Sequence, residues 1–541
     1  VRNEFIDRSY RTESSRLGFY ESQANAVYEV EDWFGEMQGV TYQQHITNLY
    51  NAVNELTKNP TSTIARSSLI QNATAFIDRS EAIYSGLKDY QVTLNTEVNN
   101  MVEKINSLGQ KIYNLNKGIV KVEAEGVERA NDLRDSRDLA LDELSKYIDI
   151  DYYETKDGEV IVSAENVPFI TKNDIAKMSV REEGTYGLLI PQWEGYQQDV
   201  YNFDKQANNA NDTDKGKLKG LLIARGVIEV NYTDIPVMPE RADYDLTTEQ
   251  GMAEYNSAMD AYQQKQDYYN KYIEPSAILS AIAGFDKLVN GIVTAMNDVL
   301  CPETTMDTTK ELTDADGNIL KAEKYVYNAS THDVLYDSHG NVVAGKENGD
   351  GTYSYEASEK LYVDANQEET ENIDSMTYKI LDMSKAGYGM DDDETRGVEL
   401  FKRNGTDRYK QITGADGSTI YVRNNLNVTG FETDYTLGNL IVNPEASQNV
   451  GTLPLSTEHG KEDFSKVNEL IDTFSKKFAS LNPENYAKAD FNTFYNDYIG
   501  EFATMGSVLT KYVNNQTTMV NGYDNQRLQT SGVSSDEELQ K

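Results

Sequence analysis

The stretch VNNMVEKINSLGQKIYNLNKGIVKV (Val98–Val122) sets apolar side chains at Val98, Met101, Ile105, Leu108, Ile112, Leu115, Ile119 and Val122, three and four residues apart without a miss. A heptad seam kept up for more than three repeats specifies a long helix that packs against other helices in coiled-coil fashion. On its N-terminal side a shorter seam, Ile46, Leu49, Val53 and Leu56, ends at Pro60, which cannot donate a backbone hydrogen bond. On its C-terminal side, Asn131–Ser145 starts another helix. Asn131 is its candidate cap, and Asp132 and Asp135 suit the positive end of the helix dipole. Leu133, Arg137, Leu141, Leu144 and Ile148 share one face of that helix. Arg137 is therefore expected to point toward the bundle, where it either snorkels to water or meets a carboxylate, the ion pair being the favoured reading, while Arg134 and Asp138 can pair outside at i,i+4.

Further along, the grammar of the chain alternates. Near Tyr147 the period drops to two, and YIDIDYYETKDGEVIVSAENVPFI holds two strands around an Asp157-Gly158 turn. Helix returns after Gly216. Met259, Tyr262, Tyr269 and Ile273 suggest one helix ended by Pro275, and Ile278, Ile282, Phe285, Val289, Ile292, Met296 and Val299 form a second clean seam. Beyond Cys301-Pro302, turn signals recur at Asp316-Gly317, His339-Gly340-Asn341, Asn348–Gly351 and Asp416-Gly417, with Tyr, Val and Thr between them. Val467, Ile471, Phe474, Phe478 and Leu481 then predict one last-section helix, and Tyr498, Phe502, Met505, Leu509 and Tyr512 another. The expected fold class is α+β multidomain: a discontinuous coiled-coil-like helical bundle (1–148, 215–300 and 435–541) with β-rich domains inserted at 149–214 and 301–434. Antiparallel packing should return the last helices to the first and leave both chain ends at one pole.

Composition narrows the function. At 541 residues the chain is longer than one core usually supports. A net charge of −39, from 50 basic and 89 acidic residues, argues against nucleic-acid binding and against adsorption to an anionic membrane. The single cysteine, Cys301, excludes an internal disulfide framework and reads as small apolar filler. No run is expected to supply the roughly 20 apolar residues of a spanning helix, and no cleavable signal pattern opens the chain.

Catalytic motifs are missing from the sequence: there is no HExxH, GxxxxGK[ST] or GxSxG. No cofactor or metal is expected. The histidines His45, His332, His339 and His459 lie in polar surroundings, and exposed hairpin positions explain His332 and His339 better than a shared metal. Asp314–Asn318 (DADGN) lacks the sixth-position Gly and twelfth-position Glu of a calcium loop and reads as a β-turn. Asp391–Glu394 reads as a solvated acidic loop.

Two segments carry a family resemblance: RANDLRDSRDLALDELS (Arg129–Ser145) and NQRLQTSGVSSDEELQK (Asn525–Lys541), with VRNEFIDRSYRTESSRLGFYESQ at the start also family-like. They resemble the flagellar hook-associated protein 1 family, and the signature positions are Asn131, Asp132, Leu133, Arg134, Asp135, Arg137, Asp138, Ser531, Gly532 and Val533. The resemblance implies a non-enzymatic axial subunit joining the bacterial hook to the filament. It also implies a core segment trimmed at both ends. The implied partners are the hook protein, hook-associated protein 3, further copies of the chain and a cytosolic export chaperone. The implied location is the extracellular flagellum, reached by type III flagellar export. The alternatives are another axial protein, such as a flagellin or the cap, and an adhesin or glycan-binding protein. The latter would act through tyrosines of the 301–434 insert, Tyr325, Tyr327, Tyr353 and Tyr355.

Overall fold

The computed structural model describes residues 3–531, apart from 36–40, 125–128, 185–186, 204–206, 415–416, 425–433, 482–486 and all of 309–375 but residue 312 and five strand dipeptides. The first third is helical. Helix α1 (Glu4–Phe34) starts at Asn3, whose side chain accepts from the Phe5 amide. Helix α2 (Tyr42–Leu56) buries all four members of its seam. Helix α3 (Thr63–Glu123) runs for 61 residues, roughly 90 Å at 1.5 Å per residue. Its heptad seam is buried from Val98 to Ile112, but Leu115 is only half-buried and Val122 is exposed. Asn116 is buried instead, because a strand edge rather than another helix lies opposite. Helix α4 (Asn131–Tyr147) follows.

Next come two small antiparallel sheets, β1 (Ile150–Glu154), β2 (Val160–Ala164) and β3 (Val167–Ile170), then β4 (Met178–Glu183), β5 (Leu188–Trp193) and β6 (Gln198–Asp199). The Asp157-Gly158 turn joins β1 to β2, with Ile150 opposite Ala164 and Glu154 opposite Val160. Three asparagines of α3 seat these sheets. Asn95 accepts from the Leu189 amide at 2.7 Å and donates to the Gly187 carbonyl at 3.0 Å. Asn106 does the same to the amide and carbonyl of Met178, at 2.9 and 2.8 Å. Asn116 pairs likewise with Val160, at 3.1 and 2.8 Å. Each carboxamide offers one acceptor and one donor, as a neighbouring strand would, so buried backbone groups are paired without a further strand. Gly109 lies between two of these clamps and lets Phe169 press onto the helix, where a Cβ would meet the ring at 2.5 Å.

Helices α5 (Lys217–Arg225), α6 (Glu249–Tyr268) and α7 (Ala277–Leu300) continue the bundle, with a π-helical turn, Tyr269–Ile273, ahead of Pro275. Among the described residues α7 alone is long and apolar enough to cross a membrane, contrary to the expectation that no run would qualify, but 78% of the apolar window is buried inside the protein. Helices α1, α3 and α5 and the last two helices of the chain pack against it, and the 399–401 and 434–437 segments bond its Asn297, Asn290 and Asp286, so little of it faces water.

After Cys301 come β7 (Glu303–Thr308), β8 (Glu323–Lys324), β9 (Leu335–Tyr336), β10 (Lys346–Glu347), β11 (Tyr353–Ser354), β12 (Tyr362–Val363), β13 (Met376–Leu381), β14 (Phe401–Arg403), β15 (Tyr409–Thr413), β16 (Thr419–Arg423) and β17 (Leu440–Val442). Strands β15, β16, β13 and β7 lie side by side, with β8 also on β13, and β14 pairs with β17. The chain closes with α8 (Pro444–Gln448), β18 (Ser456–Thr457), β19 (Lys461–Glu462), α9 (Phe464–Thr473) and α10 (Phe491–Ser531). The helix expected to carry the seam from Val467 to Leu481 stops at Thr473. A bridge between Ala479 and Ala489 takes over, and the Phe478 ring turns onto Phe491 and Phe494.

Helix α10 runs antiparallel to α1. Tyr28 bonds Thr510, Tyr20 stacks on Tyr512 with ring centroids 4.8 Å apart, and Asp7 pairs with Arg527. One contiguous apolar core takes residues from α1 to α5, α7, α9 and α10 and from the first sheets. A small separate cluster, Tyr378, Ile412 and Val422, lies in the β13–β16 sheet.

The clamp geometry sets a stability expectation. Asn106→Ala leaves the Met178 amide and carbonyl without their partner and should cost about 1–3 kcal/mol. Urea denaturation measures it, and a loss below about 0.5 kcal/mol would show that water replaces the carboxamide.

Candidate functional site

The Arg129–Ser145 segment leads into and forms most of α4 (Asn131–Tyr147), and Arg134, Arg137, Asp138 and Asp142 on it are all engaged by other elements. Ala130, not Asn131, is the N-cap, and it has no side-chain cap bond; Asn131 is the first helical residue and is exposed, as are Asp132 and Asp135. The capping acceptor comes from the end of α3. Glu123 accepts from the Ala130 amide at 2.9 Å and from Arg134 Nε and Nη2 at 2.8 and 2.7 Å. Those hydrogen bonds, Arg134 first, hold its carboxyl down at about 2. Leu133 is half-buried beside Gly118 of α3.

Arg134 therefore does not pair with Asp138. It also reaches Glu154 of β1 at 2.7 Å, and so spans α3 and the hairpin. Arg137 is 2% exposed; it donates to the Gly158 carbonyl at 2.6 Å, to Asn116 at 3.2 Å and to Glu154 at 2.8 Å. Gly158 has φ +84°, and a Cβ there would lie 2.9 Å from Arg134 Nη2, so the hairpin turn can approach both arginines only as glycine. The carboxylate that Arg137 meets is not buried, because the Glu154 side chain is 41% exposed.

On the other side, Asp138 and Asp142 face Arg11 of α1. Arg11 Nε donates to Asp142 at 2.7 Å, and Nη2 lies 3.5 Å from Asp138. Arg527 of α10 completes the group, donating to Asp7 at 2.6 Å and to both oxygens of Asp142, at 2.9 and 3.2 Å. Its guanidinium lies 4.3 Å over the Tyr10 ring, and Arg11 lies 4.6 Å over Tyr152. The charges thus alternate, Asp138, Arg11, Asp142, Arg527, Asp7, across three helices. This group joins the three stretches that carry the family resemblance. Of the C-terminal signature positions, Ser531 ends α10, and Gly532 and Val533 lie outside the described residues. Reading the sequence missed Arg11, Asp142 and Arg527. One signal was available: two acids at i,i+4 repel on an isolated helix, and that spacing calls for an outside cation.

A second group lies where the chain enters and leaves the 301–434 region. Arg408 is held by Asp298 at 2.9 Å, Glu303 at 3.0 Å and the Tyr435 hydroxyl at 2.8 Å. Arg423 bonds Glu303 and Asp434, and Arg403 pairs with Asp434. Cys301 is fully buried among them, its thiol pushed up to about 12 by burial, so it is no nucleophile at neutral pH. The returning segment 434–438 is held by carboxylates. Tyr435 donates to Glu399, the Leu437 amide to Asp286 at 2.8 Å, and the Gly438 amide to Glu81 at 3.0 Å. Asp286, inside α7 and fully buried, also accepts from the Tyr232 amide at 2.9 Å. Burial raises Asp286 and Glu399 each to about 7.

Among the described residues no three His, Cys, Asp or Glu side chains are placed to hold a metal. Asp391 accepts from Thr395, and the His459 ring, at the protein surface, lies 3.3 Å from Glu394. His45 packs beside Tyr42. His332, His339, Asp314–Asn318, Tyr325, Tyr327 and Tyr355 lie outside the described residues, and of Tyr353 only the strand placement is described.

The raised carboxyls give a pH signature. Folding lifts Asp286 from about 3.9 in the unfolded chain to about 7, so the native state binds the extra proton between those values. Its contribution to stability is whole below about pH 4 and is lost as pH rises through 7. Asp286→Asn should flatten the stability–pH slope between pH 4 and 7 by up to about 1.4 kcal/mol per unit. Chemical denaturation at several pH values tests this, and parallel slopes for the two proteins would refute it.

Residues 27–258 match the family model described as the helical domain of flagellar hook-associated protein FlgK. The chain is 27% identical over 249 residues to Flagellar hook-associated protein 1 of Bacillus subtilis (strain 168), an alignment covering 44% of this chain and 49% of that protein. The chain thus spans about half the length of the curated relative it matches. A solved structure of the flagellar hook junction protein FlgK from Burkholderia pseudomallei aligns over 97% of this chain and all of that one, with TM-score 0.49 and 13% identity. The stretch similar to that helical domain runs from the last two turns of α1 through α2, α3, α4, both three-stranded sheets and α5 into the first half of α6.

Proposed function

We propose that the chain is a structural, non-enzymatic axial subunit of the bacterial flagellum, located at the junction of hook and filament. The observation that carries this reading is the match of residues 27–258 to the hook-associated helical domain. The named Bacillus relative points the same way, and nothing in the described residues favours a flagellin, a cap or an adhesin over it. The partners are the hook protein on the proximal side, hook-associated protein 3 on the distal side and further copies of the chain around the junction. A cytosolic chaperone and the type III flagellar export route bring it there.

Physical features of the fold support such a role. An adaptor between two helical lattices needs heterologous interfaces and a body that holds its shape between them. Buried arginines with several partners each tie helices and sheets far apart in sequence: Arg66 alone reaches carbonyls at Pro60, Gly451 and Leu453 and the Ser456 hydroxyl.

Immunogold electron microscopy of flagella from the bacterium that encodes the chain should place label in a short band at the hook–filament boundary. Deleting the gene should leave hooks without filaments. Label along the whole filament or at its tip would make the chain a flagellin or a cap, and label away from flagella would end the axial reading.

A further inference from the structure

Along one side of α10 two hollows, of about 410 and 730 Å³, share Glu274 and Met505 as lining and so form one groove. Its course from Asp497 to Tyr512 on α10 is roughly 22 Å at 1.5 Å per residue, the length of about four helical turns. The distal half is mostly apolar: Phe19, Leu509, Tyr272 and Pro275 line it, with Gln23, Asn208 and Lys271 among its polar members, and Tyr512, stacked on Tyr20, remains 43% exposed at its rim. The proximal half has an apolar floor of Phe502, Tyr498 and Leu481, and its mouth carries Glu274, Asp497 and Glu501, all exposed.

That mouth is short of positive charge. Among the described residues neither Asp497 nor Glu501 makes a salt bridge, and Lys488 nearby is taken by Glu240. Although Glu501 reaches the surface, the groove wall beside it strips water from its carboxyl, and this desolvation, with repulsion from Asp497 and Glu274, raises it to about 7. Asp497 and Glu501, set over an apolar trough of this length, are complementary to a helix with apolar side chains on one face and Lys or Arg beside them.

We propose that this groove is a docking site for a basic amphipathic helix of a partner protein. Its cations meet Asp497 and Glu501 while its apolar side chains fill the trough beside Met505, Leu509 and Tyr512. A second copy of the chain is the poorer occupant, since each copy carries a net charge of −39. The inference holds whichever assembly the chain serves. Seating a cation beside Glu501 favours its ionised form, so docking releases a proton and strengthens as pH rises from 6 to 8. The groups facing Glu501 are Asp497, Glu274, Tyr269 and Tyr498.

The test uses the whole chain and a fluorescent 18-residue helical peptide with a Leu face flanked by Lys, followed by anisotropy at physiological salt. Controls are the same peptide with Glu for Lys and a scrambled peptide without an apolar face. Binding should be at least tenfold weaker for both controls, and weaker at pH 6 than at pH 8. The Asp497→Asn/Glu501→Gln double variant, and Thr504→Trp, which plugs the groove, should each lose tenfold or more. A charge-matched distant double, Asp89→Asn/Glu97→Gln on α3, should lose less than twofold. Equal losses from the near and distant doubles would reduce the binding to general acidity, and an unaffected Thr504→Trp would place it elsewhere. Either result, or equal binding of the scrambled peptide, overturns the proposal, and self-association that Thr504→Trp abolishes would assign the groove to a second copy instead.

Discussion

Asp142 stands between two arginines that come from opposite ends of the chain, and the closure of the fold depends on that arrangement. Arg11 arrives from the first helix and Arg527 from the last, and their side chains are 4% and 17% exposed where they meet it. Charges this poorly hydrated are tolerable only where each has good partners, and removing one strands the others. The alternation of Asp138, Arg11, Asp142, Arg527 and Asp7 provides those partners. It also fixes the register of α10 against α1, which the Tyr20–Tyr512 stack and the Tyr28–Thr510 bond continue along the pair. Both ends of the described chain are brought to one pole by this contact.

From that pole the long helix α3 acts as a spine. Its asparagines hold the first two sheets by their backbones, and its far part carries Arg66 and Glu81, which hold the segments around 450–456 and 438. Helix α7 is the apolar centre, and its one fully buried acid, Asp286, ties the 231–235 and 434–438 segments to it. These buried polar groups sit at joints between segments, where each fixes a relative position that apolar packing alone leaves free to slide.

Periodicity made the helices legible, because seams such as Ile278–Val299 repeat an apolar face that only a helix can bury. It also showed that Arg137 points inward, since it shares a stripe with Leu141 and Leu144. The partners of these side chains were not legible. Local spacing offered Asp138 to Arg134, but Glu123 and Glu154, brought close by the turn into α4 and by the hairpin, bind it, and Asp138 is held by a helix more than 120 residues away in sequence. Asn95, Asn106 and Asn116 read as ordinary polar positions, for nothing beside them in the chain reveals a strand edge opposite. The seam from Val467 to Leu481 failed for the same kind of reason: the Phe478 ring has better partners in Phe491 and Phe494 than a continued helix would supply.

A double-mutant cycle on Arg527 and Asp142 measures the closing contact directly. Arg527→Ala, Asp142→Ala and the double variant, compared by denaturant unfolding, should give a coupling energy of about 1–3 kcal/mol, the range for contacting residues in one network. The two single losses should each exceed about 1 kcal/mol, because each leaves a poorly hydrated charge without its partner. A coupling near zero, with each single loss below about 0.5 kcal/mol, would mean that α1 and α10 are held by apolar packing alone, and would contradict a closure of the fold that depends on the ion group.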